Sequence, residues 1–145
     1  MIKLICVLLF ASLTFASCAQ KTKIDKDQER INTVCDKFMQ NFRDDKIPEA
    51  LKLLKENSEV IADSAIDNLQ VTVSDQMNTL LSCCGRILSY DFIVERKIKD
   101  YLVKRFYILK LEKYFMKFDF TLYKSATGWR ITNFNYDNNL IEVLY

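Results

Sequence analysis

Asp119 stands between Phe118 and Phe120 in the stretch FDFTLY. A carboxylate in such apolar company is the place to look for a general base, because desolvation in a closed interior would raise its pKa. Alternation along a strand also groups Asp119 with Lys117 and Thr121. That grouping reads as the solvated side of an antiparallel sheet, so Asp119 is expected to point outward. Arg105 is the converse case, a cation interrupting an apolar face of Tyr101, Val103, Tyr107 and Leu109. A buried guanidinium needs an anion, which is either a ligand carboxylate or phosphate or an acid of the chain itself. Internal pairing, or a side chain reaching to solvent at the sheet edge, is the simpler expectation. Tyr90, Tyr107 and Trp129 combine ring area with a polar tip, which suits a ligand site and equally suits a core. Tyr90, Arg105, Tyr107 and Trp129 are therefore the ligand-site candidates, and no residue is assigned a catalytic role.

Metal chemistry has little to work with. The chain contains no His and no Cys-x-x-Cys pair, so no zinc site is expected, and no cofactor. Cys35 shares the apolar stripe of the first helix and reads as a buried thiol. Cys83 and Cys84 close a later helix, where one of them could reach Cys35; unbridged thiols are the simpler expectation, since bridge geometry is not legible in sequence.

The N-terminus carries the most specific signal. Lys3, an apolar run from Leu4 to Phe15, and the small residues Ala16 and Ser17 describe a secretory signal peptide over residues 1–17. The run is too short to cross a bilayer, which takes a helix of about 20 residues. Phe15-Ala16-Ser17-Cys18 resembles the bacterial lipobox, with Phe where Leu is usual. The resemblance implies that Cys18 is acylated and becomes the first residue of the mature chain, while ordinary secretion with cleavage after Ala16 or Ala19 is the alternative. Residues 18–25 are polar and read as a lipid-anchored tether. The remainder, 26–145, is long enough for one domain with a real core. Without residues 1–17 the chain keeps 20 of its 21 basic residues against 19 acidic ones. That balance excludes a basic surface for nucleic acid, so none is expected as a partner.

Two periodicities must position these residues. Ile31, Val34, Cys35, Phe38, Met39 and Phe42 recur with the spacing of one helical face, predicting a helix over about 25–43 that stops at Asp44-Asp45. A second helix is expected from Pro48 to Asn57. From Ser58 to Leu81 the pattern stays helical, with Val71-Thr72-Val73 as a joint or bend and Ser74 as a fresh N-cap. Gly85 ends it. The period then falls to two, giving strands over 88–95, 101–110, 116–123 and 129–136, with charged pauses at 96–100 and 112–113 as turns. SATGW (125–129) marks the tightest hairpin, with Gly128 at positive φ. Trp129 and Ile131 are out of step with Phe134 and Tyr136, which predicts a bulge near Asn133.

Helices followed by a four-stranded antiparallel meander give an α+β fold. Over about residues 25–138 the element order, Gly85 leading into RILSYDF, and FDFTLYKSATGWRITNFNY resemble the cystatin-like superfamily typified by nuclear transport factor two. The resemblance implies a sheet curved around the helices into a cone with a pocket at its wide end, and a sheet face that often pairs two copies. It is closest to small bacterial secreted or lipid-anchored members. Isomerases of that superfamily use a pocket carboxylate, for which Asp91, Glu95 and Asp119 are available. Its dehydratases use a His–Asp pair, which a His-free chain cannot supply. The expected protein is a non-catalytic envelope lipoprotein, facing the periplasm from the outer membrane by analogy, that binds a small ligand or another envelope protein. A His-free isomerase and an immunity-like protein-binding module are the alternatives.

Overall fold

The computed structural model describes residues 25–145. The expected signal peptide, Cys18 and the expected tether up to residue 24 lie outside the described residues. Helix α1 spans Lys26–Arg43. Asp25, assigned to the tether above, belongs to the domain: it caps α1 by accepting from the backbone N–H of Asp27 and Gln28 at 3.1 and 3.4 Å. The expected stripe is buried from Ile31 to Phe42 apart from Val34, which is half-buried, and Asp45 takes a positive φ of 58° where the chain turns into α2. Helix α2, Ile47–Glu56, has Pro48 in its first turn and buries Ile47, Ala50, Leu51 and Leu54.

Helix α3 runs unbroken over Asp63–Cys84. It starts later than expected, and Ser74 caps nothing. Val71-Thr72-Val73 does not break it because β-branched residues cost only about 0.5 kcal/mol each in a helix. Val73 offsets that cost by burying fully, while Val71 stays exposed. Gly85 closes the helix at φ 82°, and a Cβ there would collide with Glu112.

Four strands follow: β1 (Ile87–Lys99), β2 (Leu102–Leu111), β3 (Phe115–Ser125) and β4 (Gly128–Asp137), antiparallel and in chain order. The chain has the expected α+β class, with helices packed against a four-stranded antiparallel sheet. β1 continues through Arg96–Lys99, read above as a turn, and the reversal narrows to Asp100 and Tyr101. The bulge falls where expected: Thr121 pairs with Asn133 and Leu122 with Ile131, leaving Thr132 as the extra residue. It returns Phe134 and Tyr136 to the side of Trp129 and Ile131. Gly128 has φ 118°, as the hairpin requires.

The inner face of the sheet meets α1 through aromatic edges. Phe38 packs on Phe120 and Phe134 at 5.2 and 4.9 Å, and Phe42 on Phe118 at 4.8 Å. The outer face departs from expectation. A terminal segment with the short helix α4, Ile141–Leu144, is held against it by an ion pair of Lys104 with Glu142 and by Arg96 donating to the Val143 carbonyl at 2.8 Å. Phe106, Lys117 and Asp119 on that face are buried.

Candidate functional site

Arg105 and Tyr107 are two residues apart on β2 and so share the inner face. Arg105 is paired internally. Its Nη1 donates to Glu95 Oε2 at 2.5 Å, its Nε to the Tyr107 hydroxyl at 3.1 Å, and its Nη2 reaches Asp36 Oδ1 at 3.4 Å. The Tyr107 hydroxyl donates to the same Asp36 oxygen at 2.5 Å. Gln28 Nε2 holds the other Glu95 oxygen at 3.1 Å. The guanidinium lies over the Phe92 ring, 4.5 Å from its centre. Burial works against the Arg105 charge, yet Tyr107 and Glu95 outweigh it and keep the pKa above the ordinary value. Burial, then the neighbouring Cys35 and the bond to Asp36, push the Tyr107 phenol well up, so it stays a neutral donor.

Of the four ligand-site candidates, Arg105 and Tyr107 come together, while the others lie elsewhere. Trp129 is buried at the start of α1, donating from Nε1 to Asp25 Oδ2 at 3.2 Å and from its backbone N–H to Asp27 Oδ2 at 2.6 Å. Tyr90 is half-buried under Arg43, 5.7 Å above its ring. Residue spacing alone did not reveal Asp36, Gln28, Glu95 and Phe92 as parts of the Arg105 cluster. Glu95 is the register partner of Arg105 only because β1 slips by one residue between Lys97 and Lys99; a regular reversal at Asp100 and Tyr101 would set Arg96 there instead, so spacing gave no sign of the pair.

Asp119 reverses the solvated-face expectation. It is 1% exposed and Lys117 is 2%, because the terminal segment covers the face. Lys117 Nζ sits 3.6 Å from Asp119 and 3.1 Å from Asp137, and Asn135 donates to Asp119 Oδ2 at 3.3 Å. Asp119 Oδ1 faces Lys104 at 3.4 Å without a hydrogen bond among the described residues. Asp91, the remaining carboxylate considered as a base, is exposed near Lys110.

Cys35 is a free, buried thiol as expected, its pKa pushed up to about 12 chiefly by burial. Cys83 and Cys84, expected as unbridged thiols or with one of them bridged to Cys35, are instead joined to each other. Beside them is a groove of about 420 Å³ lined by Asp75, Gln76, Thr79, Leu80 and Cys83 of α3 and by Met116 of β3. Tyr136 donates to Gln76 Oε1 at 2.7 Å next to it. Among the described residues there is no group of three His, Cys, Asp or Glu that could hold a metal ion, and no helix long and apolar enough to cross a membrane.

The Arg105 cluster is thus a satisfied ion network, and a separate groove lies open between α3 and β3 among the described residues. Comparison of the chain with protein-family models, with curated proteins and with solved structures finds no match.

Proposed function

We propose that this chain is a non-catalytic cell-envelope lipoprotein, anchored through Cys18, whose domain recognises another envelope protein. The carrying observation is the filled interior. Phe38, Phe42, Phe118, Phe120 and Trp129 are buried between helices and sheet, and Arg105 already has its anions in Glu95 and Asp36. Recognition then falls to the surface, where Ile141 and Leu144 stand 63% and 68% exposed on the terminal segment. The resemblance to nuclear transport factor two-like binding modules, many of which do no chemistry, agrees with this reading. The isomerase alternative needs a carboxylate free to take a proton in an apolar site. Glu95 is engaged by Arg105, Asp119 by Lys117 and Lys104, and Asp91 faces solvent near Lys110.

The test places a photo-reactive residue at Leu144 of the full chain in its own envelope. One discrete protein adduct supports the reading, and an adduct of twice the chain mass identifies a second copy as the partner. Absence of any protein adduct at Leu144 sinks it. Replacement of Cys18 by Ala should move the chain out of the membrane fraction. The α3 groove favours a second reading, a small and largely apolar ligand hydrogen-bonded to Gln76 or Thr79. A bound mass that survives native mass spectrometry and vanishes on denaturation would select it.

A further inference from the structure

The described chain begins at Asp25, and that carboxylate is fastened to one end of the sheet. Lys124 Nζ lies 2.6 Å from Asp25 Oδ2, and Trp129 holds the same oxygen. The Lys124 backbone N–H in turn donates to the Tyr101 carbonyl at 2.9 Å, which puts the β1–β2 reversal beside the point where the preceding segment enters. Asp25 is seven residue steps from Cys18, and at about 3.5 Å per step they span at most ~25 Å. This end of the sheet cannot move farther than that from an anchor on Cys18.

The same end has the composition of a lipid-facing surface. Ile98, Tyr101 and Tyr123 are 61%, 50% and 42% exposed, and the two tyrosine rings pack edge to face at 6.1 Å. Lys97 and Lys99 flank Ile98, both exposed. The ion pairs nearby are Lys124–Asp25 and Arg130–Glu59, so neither Lys97 nor Lys99 has an acidic partner among the described residues. Tyrosines settle at the headgroup level of a bilayer, and each lysine near an anionic surface adds to the attraction. An apolar side chain between two unpaired lysines on a hairpin tip is poorly explained by folding, since none of the three is buried.

We propose that the β1–β2 tip, Lys97–Tyr101 with Tyr123, is a membrane-docking surface that rests on anionic lipid headgroups and fixes the orientation of the domain. The terminal segment, held by Arg96 and Lys104 next to this tip, then lies beside the bilayer surface, and the far end of β1 is left pointing away from it. The proposal rests on the lipid-anchor reading for its geometry, and its test separates the two.

The full chain is produced in its own membranes with a photo-reactive residue at Tyr101 or, as a control, at Leu88, ten residues or ~33 Å from Ile98 along β1. Mass spectrometry of the same sample reads the acyl group on Cys18 directly. The expected result is a lipid adduct at Tyr101 and none at Leu88. Lys97→Glu with Lys99→Glu should lower the Tyr101 adduct by roughly tenfold through lost attraction to the headgroups. These are exposed positions, and an unchanged circular dichroism spectrum shows that the fold is kept. Equal lipid adducts at both positions, a protein adduct in place of lipid at Tyr101, or no change in the double variant overturns the proposal. A Tyr101 lipid adduct on a chain lacking the Cys18 acyl group would instead overturn the anchor and leave the docking surface standing.

Discussion

Strands β2 and β3 bury ions on both of their faces, and the two faces do it differently. On the inner side one guanidinium collects partners from three elements: Asp36 of α1, Glu95 of β1 and Tyr107 of its own strand. On the outer side Lys117 and Asp119 are neighbours on one strand, helped by Asn135 and Asp137 of β4 and covered by the terminal segment. Desolvating a charge costs several kcal/mol, and a pair recovers it only with good geometry and further hydrogen bonds. The inner cluster ties a helix to a sheet in one orientation. The outer pair fixes little that strand pairing does not already fix, so it is the more replaceable of the two.

The largest effect expected is that of Arg105→Met. It strands Glu95 and Asp36, and since Asp36 is half exposed the loss should be near the low end of the usual range for a broken buried pair, about 3 kcal/mol in urea unfolding. A loss below about 1 kcal/mol would mean that the cluster is incidental to the fold. Next comes Lys117→Met, expected to cost about 2 kcal/mol by removing the buried cation of Asp119 and leaving it only Lys104 and Asn135. Adding Asp119→Leu should bring stability back to within about 1 kcal/mol of the parent, because an apolar pair can replace a buried ionic one. The matching inner double variant, Arg105→Met with Glu95→Leu, should recover much less, since Asp36 and Tyr107 lose the guanidinium too and keep only each other. Equal recovery on both faces would erase the distinction.

Acid should act elsewhere. The bonds from Lys124 and Trp129 lower Asp25 from its ordinary value of 3.8 to about 2. A depressed folded-state pKa means that the stabilisation is present above 3.8 and is lost as pH falls towards 2. Asp25→Asn should therefore flatten the stability profile between those values while leaving the slope near neutrality unchanged. The smallest effect is assigned to Glu142→Gln: its carboxylate is half exposed, so the pair with Lys104 contributes under about 1 kcal/mol. Its readout is faster amide exchange over Ile141–Leu144 rather than a shifted midpoint.

Much of the fold was legible because local periodicity carries it. The stripe from Ile31 to Phe42, the positive φ at Gly85 and Gly128, and the slip between Ile131 and Phe134 each leave a mark within a few residues. The burial of Asp119 left none, since the segment that covers it comes from some twenty residues downstream and has no periodic pattern. Polar alternation on a strand reports an outward side chain only where nothing lies over it. Asp36 was hidden for a related reason: it follows Cys35 on the flank of α1, where a side chain can bend inward to a buried cation without disturbing the apolar stripe. The unbroken α3 shows tertiary burial of Val73 overriding local preference.

The clasp at Asp25 also has a mechanical meaning. A pull on the chain before α1 does not reach the helix end alone, because Asp25 and Asp27 are bonded to Lys124 at the end of β3 and Trp129 at the start of β4. The load is shared at once between a helix and a hairpin nearly a hundred residues later in the chain. Those bonds must break together before α1 can unwind, so under force the domain should hold as a block and then yield abruptly. Removing Lys124 and the Asp27 carboxylate would turn that abrupt failure into gradual peeling from the first helical turn, with little change to the resting fold.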